Sequence, residues 1–422
     1  MTGELPNQVE VFLDAADLGP FRRVGVLRRS GPGDTPIAFA YEQEWIDDDV
    51  FFVLDPSHYP FGGDQYPRDG ALAGIFTDTS PDQWGRILLE RREADRARAG
   101  GRRVRQMGEW EFLLGVSDAL RMGAIRFAAP GGGPFLDDDP LAIPPTADLR
   151  ELEQAAREIE HPSRRGQEPA MRTAIAHLLA PGSPLGGARP KTSFRLEDGA
   201  LWMAKFPSRN DRRDVGAWES VLNQLARRAG IRVPESRLME FAGPYHTFVA
   251  RRFDREGTGR RLFGSAMTLV GKRDRDPSSY IEIAESIEHN VAPEAIEEDL
   301  TELFRRLVFN IMTGHRDDHL RNHGFLRSPD GWRLAPAFDL NPMPDKHEHE
   351  LAVGLDSHAP DVRLALSETA PFCRLSQTEA RRIVGDVEEA VAVWPGVAAA
   401  AGLSGDEIEA MADAFQVSSA ET

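Results

Sequence analysis

The chain has a single cysteine, Cys373, among 422 residues. No internal disulfide can form, so a disulfide-framed scaffold is excluded and a reducing compartment is favoured. Long apolar runs are missing as well: no stretch approaches the length of a membrane span, and the start MTGELPNQVEVFL lacks a basic region followed by an apolar core. Together these features predict a cytoplasmic protein. Positive charge is also scarce, with 50 Lys and Arg against 68 Asp and Glu for a formal net charge of −18. Binding to a phosphate backbone is driven by a surplus of cations on one surface, so autonomous nucleic-acid binding is disfavoured. The arginine-rich stretch from Arg86 to Arg105 is the local exception, and it reads as a solvated helix and loop. There is no internal repeat, and the length suffices for two or three domains with full cores.

Residues Gln8 to Leu54 alternate apolar and polar positions in the short runs VEVFL, RRVGVLRR, IAFAY and VFFVL, separated by Gly, Pro and Asp turns. This pattern predicts a small antiparallel sheet. In TDTSPDQWGRILLERR, Ser80 is the expected N-cap and Pro81 the first helical residue. A helix is expected over Glu109 to Val116, with SDALRMGAIRF leading back into a strand. The Pro-, Gly- and Asp-rich residues 131–147 mark a linker between an N-terminal β-rich domain, 1–130, and the rest of the chain. Helices are expected from Leu149 to Glu160 and from Glu168 to Leu179. From Pro293 onward the chain reads as mainly helical, with apolar stripes in EAIEEDLTELFRRLVFNIMTG, near Thr378 to Val393 and over Gly405 to Phe415.

The stretch that carries chemistry is GHRDDHLRNHGF, Gly314 to Phe325. His315, Arg316 and Asp317, with Asn322 five places after the aspartate, reproduce the H-R-D-x-x-x-x-N spacing of a protein-kinase catalytic loop. There an aspartate orients the attacking hydroxyl, and an amide oxygen one loop-length away holds magnesium on the ATP phosphates. Downstream, AFDLNP supplies Asp339 where a second magnesium-binding aspartate would return, although Leu340 and Asn341 replace the usual Phe and Gly. Asp318 is the nearest competitor for the role of Asp317. A rival reading uses the same stretch: His315, His319 and His323 recur every four residues, would line one face of a helix, and could ligate zinc or iron in a metal-dependent hydrolase.

Other parts occur in kinase order. PGSPLGGARPKTSF places Gly186, Gly187 and Ala188 before Arg189 and Lys191, where small residues let backbone N–H groups approach phosphates. It is no Walker A loop, because Pro190 precedes the lysine and no helix follows. A plain loop entering a strand is the bland alternative. SFRLEDGALWMAKFP then reads as a hairpin turning at Asp198-Gly199, with Lys205 inside an apolar run and in need of an anionic partner. A helix from about Val215 to Ala229 carries Glu219, as a kinase helix glutamate follows the strand lysine. RLMEFAGPYHTFVARRFDR is a second hairpin turning at Gly243-Pro244, whose exit, Arg251 to Phe253, occupies the place of the strand that meets adenine. Arg252 and Asp254 could equally form a structural ion pair.

Taken together, SPDQWGR, MGAIRF, LGGARPK, MAKFP, VARRFDR, DDHLRNHGF and AFDLNP resemble the HipA family of bacterial serine/threonine kinase toxins over nearly the full length. The resemblance implies an α+β, protein-kinase-like two-lobed fold: a small lobe at 148–270 preceded by the extra N-terminal domain, and a helical large lobe at 271–422. It implies ATP and Mg2+ as cofactors, a helix-turn-helix antitoxin that makes the DNA contact, and a protein substrate such as an aminoacyl-tRNA synthetase. Carried over by position, Asp317 is the catalytic aspartate, Asn322 and Asp339 the magnesium ligands, and Lys205 the phosphate lysine. Gly186, Gly187, Ala188, Arg189, Lys191, Arg251, Phe253 and His319 fall along the expected nucleotide site. The family's autophosphorylated loop serine falls at Pro184 here, so Ser183, one place earlier, is the candidate regulatory site. A non-catalytic kinase-like binding module remains the alternative from another class.

Overall fold

Short β-prone runs and long amphipathic ones segregate along this chain, and the computed structural model follows that division. It describes residues 5–31, 33, 35–137, 143–144, 148–160, 178, 189–241 and 243–415. Two compact units result, Met1–Arg209 with Asp254–Gly264, and Asn210–Phe253 with Ser265–Thr422. The expected helix over Glu168 to Leu179 falls, apart from Leu178, outside the described residues.

The first unit opens with an antiparallel sheet of β1 (Gln8–Leu13), β2 (Arg22–Arg29), β3 (Ile37–Tyr41) and β4 (Ile125–Ala128), in the order β3-β2-β1-β4. Alternation in VEVFL and AIRF puts Val9, Val11, Phe39 and Phe127 in the core. Gly25 is required in the middle of β2, because a Cβ there would come within 2.4 Å of the Phe39 ring and 2.5 Å of the Ala40 carbonyl. VFFVL, expected as a strand, is not one. Its apolar residues are consecutive rather than alternating, and they close over an aromatic cluster instead: Phe51 lies 5.8 Å from Tyr41 and 5.7 Å from Trp45, and the Leu54 N–H donates to the Tyr41 hydroxyl at 2.8 Å.

The helix predicted from SPDQWGR spans Gln83–Ala99, and its N-cap is Asp82, not Ser80. The Asp82 carboxylate accepts the Gly85 N–H at 2.7 Å, whereas the Ser80 hydroxyl donates back to the Phe76 carbonyl and closes the preceding turn. Pro81 therefore precedes the helix. The helices Glu109–Gly115 and Leu149–Ile159 follow. Lys191–Arg195 and Leu201–Lys205 form the expected antiparallel hairpin, with Gly199 at φ 82° in its turn.

The second unit begins with helix Val215–Arg228, capped by Asp214, and the hairpin Ser236–Met239 with Thr247–Arg251. Its core is built on helix Ile296–Thr313, where Leu300, Leu303, Phe304, Leu307, Val308 and Ile311 recur at helical spacing and are all buried. Helices Tyr280–Asn290, Gln377–Ala392, Trp394–Ala400 and Gly405–Met411 complete it, the first two with Ser/Glu capping boxes. Trp394 and Phe415 stack at 4.2 Å beside Trp218. Among the described residues no helix is long and apolar enough to cross a membrane.

Candidate functional site

Helix Ile296–Thr313 ends where the chemistry-bearing stretch begins. Gly314 takes the left-handed conformation, φ 64°, that ends the helix, and its absent Cβ lets the chain pass the Ala414 carbonyl, which a Cβ would approach to 2.5 Å. Residues 315–319 are irregular, Leu320–Asn322 form one 3-10 turn, and Gly324–Ser328 is a strand paired with Gly331–Leu334. The four-residue recurrence of His315, His319 and His323 therefore falls on loop, turn and strand edge. No helical face gathers them, which removes the geometric basis of the metal-hydrolase reading. Among the described residues, no three His, Cys, Asp or Glu side chains are grouped to hold a metal ion.

Each histidine has its own surroundings. His315 is buried, its Nδ1 lying 3.0 Å from the Asn341 carbonyl oxygen and 3.2 Å from the Asn341 amide nitrogen, so it ties the loop to the residues after Asp339. Burial holds its pKa below the ordinary value. His323 is buried edge-on to Tyr280 at 5.4 Å, and burial drives its pKa down to about 3. It is neutral at any physiological pH. The His319 carbonyl accepts the Asn322 N–H at 2.8 Å and closes the 3-10 turn.

The adjacent aspartates differ sharply. Asp318 is fully buried, its Oδ2 accepting from the Tyr280 hydroxyl at 2.6 Å and from His349 Nδ1 at 2.7 Å, and its Oδ1 accepting the Glu350 N–H at 3.0 Å. Asn310 Nδ2 donates to the same tyrosine hydroxyl at 2.8 Å, which extends the network into the long helix. Burial on its own would raise the Asp318 pKa, but the His349 ring and the hydrogen bonds from His349 and Tyr280 reverse that and hold it well below the usual carboxylate range. Asp317, by contrast, keeps 47% of its side chain exposed, and Lys346 Nζ lies 3.6 Å from its Oδ1. Of the two, Asp317 is the carboxylate that an incoming hydroxyl can reach.

Asn322 donates its amide Nδ2–H to the Asp317 carbonyl at 2.6 Å, which fixes the amide and leaves Oδ1 as the oxygen it could offer a hard cation. Asp339 adopts φ 59°, a left-handed conformation uncommon for a residue other than glycine. One amide oxygen and one carboxylate suit magnesium, which is bound by few protein ligands and completes its shell with phosphate and water. The residue before Asp339, Phe338, packs its ring 5.4 Å from that of Phe253. Arg251, at the end of its strand, is exposed and bonds through its N–H to the Glu235 carbonyl at 2.8 Å. Glu219 is buried in helix Val215–Arg228.

In the first unit, Lys205 is buried at the end of its strand and faces Lys191 in the hairpin register. Lys191 is 2% exposed, and its Nζ forms a 2.8 Å ion pair with Asp82. Its ammonium is thus already engaged by the residue that caps helix Gln83–Ala99, a pairing across 109 residues of sequence. Arg189 donates to the Phe206 carbonyl at 3.3 Å. Gly186, Gly187, Ala188 and Ser183 lie outside the described residues.

Sequence reasoning missed Tyr280, Asn310, Lys346, His349 and Glu350. The charged run DKHEHE shortly after Asp339 was the available signal for three of them, but nothing in it names the partners.

The fold and the loop define a protein-kinase-like protein. Residues 183–394, half of the chain, match the HipA-like C-terminal domain, and the chain belongs to that family. It is 28% identical over 145 residues to a protein of Haemophilus influenzae named "Putative kinase", and 27% identical over 222 residues to "Putative kinase Y4dM" of Sinorhizobium fredii. These alignments cover 30% and 46% of this chain and 42% and 52% of the relatives, so the chain spans about half the length of the curated relatives it matches. The fold is similar to that of HipA of Shewanella oneidensis, solved with HipB and its operator DNA: TM-score 0.67 at 16% identity, covering 97% of this chain and 95% of that one.

Proposed function

We propose that this protein is an ATP- and Mg2+-dependent serine/threonine protein kinase that acts as the toxin of a toxin–antitoxin module. The observation that carries the reading is the division of labour in the loop: Asp318 is buried and accepts three hydrogen bonds, while Asp317 is half-exposed and its carbonyl is tied to the Asn322 amide. Asp317 orients the serine or threonine hydroxyl and accepts its proton. Asn322 and Asp339 would hold magnesium, which supplies charge neutralisation at the phosphates. In the roles that the family resemblance assigns, Lys205 and Arg189 serve the ATP phosphates, Arg251 to Phe253 serve adenine and His319 serves the nucleotide, with Gly186, Gly187 and Ala188 as the candidate phosphate loop. Positioning and electrostatics of this kind supply most of phosphoryl-transfer catalysis.

The partner in this reading is a helix-turn-helix antitoxin that makes the DNA contact, consistent with the net charge of −18, and the substrate is a translation component such as an aminoacyl-tRNA synthetase. Ser183 is the candidate for autophosphorylation. The test is incubation with labelled ATP and magnesium, alone and with bacterial lysate, beside Asp317→Ala. The expected result is labelled protein with the wild type and a loss of at least about 100-fold in the variant. Equal labelling by both would overturn the assignment of Asp317, and label on lysate proteins but not on Ser183 would remove the loop-switch element alone.

A further inference from the structure

The chain uses lysine at only four of its 50 Lys and Arg positions: Lys191, Lys205, Lys272 and Lys346. Arginine is its default cation, so each lysine marks a place where a compact ammonium stands instead of a planar fork. Lys272 has a structural place, with Nζ 2.8 Å from the Pro277 carbonyl and 2.8 Å from Glu282. Lys191 and Lys205 belong to the hairpin already described. Lys346 lies on the segment after Asp339, outside every motif singled out above.

That segment is fastened to the loop on both sides of the lysine. Ahead of it, the Met343 N–H donates to the Gly314 carbonyl at 2.9 Å, and the Lys346 N–H closes a turn on the Met343 carbonyl at 3.1 Å. The Arg316 guanidinium donates to the carbonyl of Lys346 itself. Behind it, His349 and the Glu350 N–H bind Asp318 at 2.7 and 3.0 Å. The side chain so placed brings Nζ to 3.6 Å from Asp317 Oδ1. The loop's own arginines are engaged elsewhere: Arg316 holds that carbonyl, and Arg321 Nε faces Asp274 at 3.3 Å.

We infer that Lys346 is a catalytic residue whose ammonium stabilises the phosphoryl group in flight. The inference rests on the kinase reading of the same site. In the transfer, the substrate hydroxyl oxygen forms a bond to the γ-phosphorus as the bond to the bridging oxygen of ADP breaks. The hydroxyl proton passes to Asp317, and ADP departs with the bonding pair. Reacting atoms meet at about 3–3.5 Å, so a cation 3.6 Å from the Asp317 carboxylate stands within reach of the oxygens on which charge accumulates. Lys346 gives up no proton in this step. Its nearest partner is Glu350, to which the ammonium donates a hydrogen bond at a site where the lysine is 30% and the glutamate 48% exposed. A pair so open to solvent is weak, and the ammonium can exchange Glu350 for the more highly charged phosphoryl group. An arrangement in which Lys346 only masked Asp317 would make the opposite prediction for its removal.

The test compares wild type, Lys346→Met, Lys346→Arg and Asp317→Ala by single-turnover phosphate transfer, and by the affinity of each for ADP and for ADP with magnesium and aluminium fluoride, a mimic of the phosphoryl in flight. Lys346→Met is expected to lower the transfer rate on the order of 100-fold and to weaken the mimic by a similar factor, with ADP affinity unchanged. Lys346→Arg is expected to recover part of both. A Lys346→Met protein that transfers phosphate at the wild-type rate or faster, or that loses ADP and mimic affinity equally, overturns the assignment while leaving the kinase reading in place. A wild type that binds neither ADP nor the mimic overturns both.

Discussion

Replacing Asp318 by asparagine separates the two adjacent aspartates by a measurement that involves no substrate. The wild-type carboxylate accepts three hydrogen bonds, from Tyr280, His349 and the Glu350 backbone, at 2.6 to 3.0 Å. Asparagine keeps the shape but loses the charge, and its amide nitrogen turns a donor toward at least one of those donors. Weakening two hydrogen bonds to a buried charged group costs about 3–5 kcal/mol. For a unit of some two hundred residues this corresponds to a fall in Tm of roughly 6–20 °C. The pH dependence carries a second signature. The folded pKa of Asp318 is depressed, so its contribution is present above the unfolded value near ~3.9 and is lost as pH falls through the folded value. Below about pH 4 the gap between wild type and Asp318→Asn therefore narrows. Thermal melts across pH 3–7 are the assay. Because Asp317 is 47% exposed, Asp317→Ala is expected to stay within about 0.5 kcal/mol of wild type. A stable Asp318→Asn beside an unstable Asp317→Ala would refute the assignment of their roles.

Two more outcomes rest on the same geometry. Gly314→Ala must place a Cβ 2.5 Å from the Ala414 carbonyl in a left-handed conformation, so it is expected to destabilise by about 2–5 kcal/mol in a denaturant melt; a loss under about 0.5 kcal/mol would show that the helix end can relax. Burial would lower the His246 pKa, but its hydrogen bond and attraction to Asp214 leave it raised, so this pair stabilises fully below the unfolded value near ~6.5 and weakens as pH rises through the raised folded value. His246→Gln is expected to flatten that part of the stability profile, and an unchanged slope above neutrality would refute the coupling.

The sequence by itself determined the order of parts. Alternating runs specified the hairpins and the apolar stripe in EAIEEDLTELFRRLVFNIMTG specified the helix that delivers the loop, because these signals are local and repeat with the period of their own element; the spacing of Asp317, Asn322 and Asp339 supplied the candidate site. Local signals also misled where a longer-range partner won. Asp82 took the cap expected of Ser80, and VFFVL closed over an aromatic cluster instead of pairing as a strand. Only the tertiary structure decided which of two neighbouring aspartates is buried, that Lys191 is held by Asp82, and that Lys346 stands beside Asp317. Two consecutive residues in an irregular loop carry no period to say which faces inward, and an ion pair spanning tens of residues leaves no trace in the spacing of either partner. Burial and charge pairing are properties of the packed chain, so those assignments had to wait for it.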